Sequence, residues 1–143
     1  MRSRDTINAP EALVLTMVLV SVADGGMSDR EIGIMSGLVQ TLPAFQDFTK
    51  DRLADVTERA AGLLNEDDGL AHASRLICAA LPSKLRETAY ALACEVVAGG
   101  EGARRQSIEM LDFVRGELGL DQLVSTAIER GIRARYQRVD TTG

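Results

Sequence analysis

The stretch "ALVLTMVLVSVADGGMSDREIGIM", residues 12–35, decides how this chain folds. Its first half, Ala12 to Ala23, is apolar on nearly every side of a helix, which marks a central, buried helix. At twelve residues it falls short of the roughly 20 needed to cross a bilayer. Asp24-Gly25-Gly26 then stops it, because glycine accepts the left-handed backbone that closes a helix. "SDRE" opens the next helix as a capping box, with Ser28 as the cap and Glu31 reaching back. Upstream, "NAPE" starts the first helix by the same device: Asn8 caps, Pro10 fits the first turn and Glu11 stands three residues past the cap.

Outward from that stretch the pattern stays helical. Ile32, Met35, Leu38, Val39 and Leu42 form a stripe at helical spacing up to Pro43. A third helix is expected over about 46–64, with Phe48, Leu53, Val56, Ala60, Leu63 and Leu64 facing inward. "NEDDG" breaks the chain at 65–69, where Glu66, Asp67 and Asp68 suit the N-terminal dipole of a short helix over about 70–80. After Pro82-Ser83 a fifth helix runs from about Lys84 to Ala98 and ends on Gly99-Gly100. The sixth spans Arg104 to Leu118, with Ile108, Leu111, Val114 and Leu118 on one face and Gly119 as its stop. A last helix covers Asp121 to Arg138. No linker is long enough to divide the chain, so the expectation is one all-α domain of about seven helices over 1–143, with its core over about 8–138.

Composition agrees with helices. Apolar residues make up 45% but aromatics only 3%, so the core is built of Ala, Leu, Val, Ile and Met, which favours helix–helix packing. A net charge of −5 argues against a general nucleic-acid binder, which needs surplus Lys and Arg. Arg130, Arg133, Arg135 and Arg138 cluster at the end and read as the solvated tail of a last helix, with contact to a phosphate or a membrane surface as the alternative. Cys78 and Cys94 have no CxxC and no nearby histidine, the pattern of buried thiols in a reducing compartment. With no signal peptide or membrane span in the pattern, a cytoplasmic protein is expected.

Two readings fit residues 24–31. In one, Asp24 ends a helix and Glu31 closes a capping box. In the other, Asp24 and Glu31 are oxygen ligands of a divalent cation, completed by backbone carbonyls, water, Asp29 or Glu101. The spacing D-G-x5-E matches the second half of an EF-hand loop, but Val20 and Val22 stand where that loop needs oxygens, so an EF-hand is excluded. A shift of 75 residues lays the fifth and sixth helices over the first two: Val22, Ala23, Gly25, Met35 and Val39 recur as Val97, Ala98, Gly100, Met110 and Val114. In this overlay Gly99 and Gln106 replace Asp24 and Glu31.

"ADGGMSDREIGIM" after a buried apolar helix resembles the motif of the tellurite-resistance TerB family, which carries an A-x-A-DG-x-[IVM]-x-x-x-E pattern in each of two internal repeats. The resemblance runs from about Ala12 to the "LGLD" at 118–121. It implies an all-helical, non-enzymatic module of stress response or tellurite- and metal-linked signalling, cytoplasmic or peripherally membrane-associated. The family's metal-ligand role falls on Asp24 and Glu31 alone. The alternative is a protein-interaction domain of the same fold that has lost the ion. Either way a protein partner is implied, and so much aliphatic surface on a small helical domain suits homodimerisation.

Other patterns carry less chemistry. His72 is the only histidine, so neither an imidazole metal site nor a Ser–His–Asp triad is assembled around it. "AGGEG" at 98–102 lacks a preceding strand and a GK[ST], which rejects a phosphate loop. Arg104 and Arg105 open a helix where cations oppose the dipole, a placement that suits a solvated pair, an ion pair or a partner contact.

Overall fold

Helix α1, Ala9–Val22, begins as its sequence dictates. Asn8 accepts the Glu11 N–H at 3.0 Å and donates its own N–H to the Glu11 carboxylate at 2.9 Å, with Pro10 in the first turn. Every residue from Ala12 to Ser21 is buried, as an all-round apolar helix requires. Thr16 satisfies its hydroxyl on the Ala12 carbonyl, 2.8 Å away, so the polar atom costs the core little.

The computed structural model of the chain describes residues 6–23, 25–100 and 104–139. Among these, α2 (Asp29–Thr41), α3 (Lys50–Leu64), α4 (Gly69–Ala80), α5 (Ser83–Gly99), α6 (Arg105–Leu118) and α7 (Gln122–Arg135) follow α1, and no residue is in a strand. The most extensive packing is α1 on α5, a second helix buried along much of its length from Ala89 to Val97. Around this pair, α3 and α4 cover α1, α2 and α7 lie on α5, and α6 touches both central helices. Arg86 ties the rim together: its guanidinium donates to the Cys78 carbonyl at 2.9 Å and the Leu81 carbonyl at 3.0 Å. It thereby satisfies carbonyls at the end of α4 that the helix leaves unpaired.

Several expectations need correction. The third helix starts at Lys50, not near 46. Pro43–Phe45 forms a 3-10 turn that buries Phe45, Asp47 takes a left-handed φ of 73°, and the Thr49 hydroxyl caps α3 by accepting the Arg52 N–H at 3.2 Å. A local cap and a buried aromatic thus outweigh the helical pattern upstream of them. Ile32 and Ile108, expected inward, are 45% and 47% exposed, because each stands at the edge of its helix's buried stripe. Asp68 occupies the cap position of α4 in left-handed backbone, without a side-chain cap hydrogen bond, and α4 has no acid in its first turn. Glu66 turns instead to the His72 Nδ1, 3.4 Å away. Cys94 is buried as expected, but Cys78 is only half-buried, with its thiol donating to the Glu117 carbonyl.

Candidate functional site

The turn after α1 is built by glycine. Gly25 and Gly26 take φ of 118° and 143°, and the Gly25 N–H returns to the Val22 carbonyl at 3.1 Å. Asp24, the first of the two candidate cation ligands, lies outside the described residues, as does Glu101. Glu31, the second, closes the expected capping box: Ser28 N–H donates to its Oε1 at 3.0 Å, and its own N–H donates to the Ser28 hydroxyl at 3.1 Å. Such a box draws helix-opening N–H groups into partnership and is worth about 0.5–2 kcal/mol.

The tertiary fold adds what spacing could not. Glu31 is only 4% exposed, and the buried Ser21 hydroxyl of α1 donates to the same Oε1 at 3.1 Å. One carboxylate oxygen therefore joins the end of α1 to the start of α2. The other oxygen lies against Gly100: a Cβ placed there would meet Glu31 Cγ at 2.7 Å and Oε2 at 3.1 Å. Gly100 has a φ of −86°, so it stops α5 without left-handed backbone. Glycine is required there because α2 comes so close. Asp29 stands exposed in the first turn of α2. No group of three or more His, Cys, Asp or Glu side chains able to hold a metal is assembled among the described residues.

A second carboxylate centre was hidden within "YALACEVVA". Glu95 of α5 is buried and accepts two hydrogen bonds from Arg135 (3.2 Å from Nε, 2.6 Å from Nη2) and one from the Tyr136 hydroxyl at 2.7 Å. The carboxylate holds the Arg135 guanidinium above its ordinary range, and burial together with Glu95 raises the Tyr136 phenol. Arg135 is exposed like Arg130, Arg133 and Arg138, but unlike them it is paired with a buried acid. A single acid inside an apolar helix was the one signal in the sequence that a partner was needed.

Beside it, in a groove of about 460 Å³ between α6 and α7 on the surface of α5, the Tyr90 hydroxyl donates to Glu129. Burial, reinforced by that carboxylate, raises the Tyr90 phenol. Burial likewise pushes the Cys94 thiol up to about 12. Both groups are then neutral in the folded chain at pH values where they ionise once unfolded. Above about pH 9 the unfolded chain binds fewer protons than the native one, so stability contributed by neutral burial is lost as pH rises from about 9 toward 12. The expected result is a thermal midpoint that falls between pH 9 and 11, with a shallower fall in Cys94→Ser. A thiol titration at neutral pH should label Cys78 first, with Cys94 reacting only as the chain unfolds.

No helix among the described residues is long and apolar enough to cross a membrane. No family model, curated protein or solved structure matches the chain.

Proposed function

We propose that the chain is a non-enzymatic TerB-like helical module acting through contacts with a protein partner, in a stress-response or metal-linked setting. The reading is supported by the way α1 and α2 pack against α5 and α6, the two segments that a 75-residue shift lays over each other. Moving α1 (9–22) and α2 (29–41) along by 75 residues gives 84–97 and 104–116, against the observed 83–99 and 105–118 of α5 and α6. The first helices of the two segments pack on each other, α2 lies mainly on α5, and α6 packs on both α5 and α1. Both glycine turns sit at corresponding ends, with Glu31 of one half against Gly100 of the other. This arrangement fits a duplicated helix–turn–helix domain of the kind the DG motif brings to mind.

In this reading Glu31 serves as an internal cap, with Oε1 taking the Ser28 N–H and the Ser21 hydroxyl. A second reading, a divalent cation at the 24–31 turn, is favoured by one feature: Oε2 of the buried Glu31 accepts no hydrogen bond among the described residues. Thermal unfolding of chelator-treated protein with Ca²⁺, Mg²⁺, Mn²⁺ and Zn²⁺ separates the two. A ligand that binds only the folded state raises the midpoint in proportion to RT ln(1 + [L]/Kd). A flat response for all four ions in wild type is the expected outcome for the internal cap. A saturable rise for one ion, absent in Asp24→Ala, would establish the cation site and displace the cap-only reading.

A further inference from the structure

We propose that the cavity over the Gly99–Gly100 turn binds the phosphate group of a phosphomonoester. The cavity measures about 620 Å³, and Arg30, Arg135 and Arg138 line it together with Gln137 and the two glycines. Three arginines from two parts of the chain line it: Arg30 in the first turn of α2, and Arg135 and Arg138 at and just beyond the end of α7. No carboxylate lines it among the described residues, in a protein whose net charge is −5.

Local stability does not account for the placement of Arg30, whereas Arg135 is paired with Glu95 in the last turn of α7. Arg30 sits in the first turn of α2, where the helix dipole disfavours a cation, and neither Arg30 nor Arg138 has an acidic partner among the described residues. Arg135 is held in place from behind. Glu95 engages its Nε and Nη2, which leaves three of the five guanidinium N–H donors for a ligand. A fixed guanidinium loses less freedom when it binds, and planar N–H forks match the tetrahedral oxygens of phosphate.

The glycines make the convergence possible. A Cβ at Gly99 would meet Ile34 of α2 at 2.8 Å and the Tyr136 ring at 2.9 Å; one at Gly100 would meet Glu31 at 2.7 Å. Bare backbone at these two positions lets α2 and the end of α7 close over the end of α5, so that Arg30 and Arg138 share one cavity. A lone phosphate occupies a small part of 620 Å³, and the polar remainder leaves room for the organic portion of an ester. A soluble metabolite and a lipid headgroup share this chemistry.

The test is isothermal titration of the full chain with glycerol 3-phosphate, beside co-sedimentation with phosphatidylcholine vesicles containing phosphatidic acid. Wild type is compared with Arg30→Gln, Arg138→Gln and, as a control outside the cavity, Arg130→Gln. All three positions are exposed, so the variants should fold, and circular dichroism checks that they do. Saturable binding is expected, weakened about tenfold by either cavity substitution, the size of one charge-assisted contact, and unchanged by Arg130→Gln. Binding to the soluble ester identifies a metabolite source; cavity-dependent binding to the vesicles alone identifies a headgroup. Absence of binding in both arms would overturn the proposal. So would binding that Arg130→Gln weakens as much as the cavity variants, because that is nonspecific attraction to a basic surface.

Discussion

Leu13→Ala should cost about 2–5 kcal/mol of folding stability, the range for emptying a fully packed leucine site. Leu13 is 0% exposed and lies on the helix that all the other helices but α7 pack around. The loss has two parts: the apolar surface no longer removed from water, and the cavity that the neighbours cannot fill. α1 is held from several sides, so collapse into the vacancy is limited and the upper half of the range is expected. Leu123→Ala is the matched control. Leu123 is 77% exposed on α7, and its truncation should change stability by no more than about 0.5 kcal/mol. Urea unfolding of both variants measures the difference. Equal, small effects would mean that α1 is not the packed centre of the fold.

Substitutions at Glu31 should divide by chemistry. Glu31→Ala removes the acceptor of two hydrogen bonds at a site 4% exposed, stranding the Ser21 hydroxyl and the Ser28 N–H. Leaving a buried donor unpaired costs about 1–3 kcal/mol, and loss of the capping box adds about 0.5–2 kcal/mol. The combined expectation is about 2–4 kcal/mol, since the shared oxygen makes the two contributions overlap. Glu31→Gln keeps a carbonyl oxygen for both donors and belongs to the residues that form capping boxes. It should therefore retain most of the stability that Ala loses. A Gln variant as unstable as Ala would show that the negative charge, and not the acceptor, is what the site needs. That outcome would return weight to a cation held between residues 24 and 31.

Much of the fold was legible because its cues are local. Both capping boxes, Asn8–Glu11 and Ser28–Glu31, involve residues three apart, so spacing alone identified them. α1 stood out because ten of the twelve positions from Ala12 to Ala23 are apolar, which leaves no solvent face. The start of α3 was misread because Asp47 adopts left-handed backbone in a turn anchored by buried Phe45, an arrangement whose reward is tertiary. The site was legible only in halves. Sequence singled out Glu31 as a cap, yet its bond to Ser21 spans ten residues and its contact with Gly100 spans the two halves of the chain.

The amino-acid sequence by itself determined seven helices, their approximate limits and which of them is central, because propensity, capping and apolar periodicity act over a few neighbouring residues. Tertiary structure alone decided which polar groups meet. Glu95 finds Arg135 and Tyr136 forty and forty-one residues away, and Arg30 shares a cavity with Arg138 across the bare backbone of Gly99 and Gly100. Charge and hydrogen-bond partners separated this far along the chain are chosen by how the helices cross, and no local pattern records that choice.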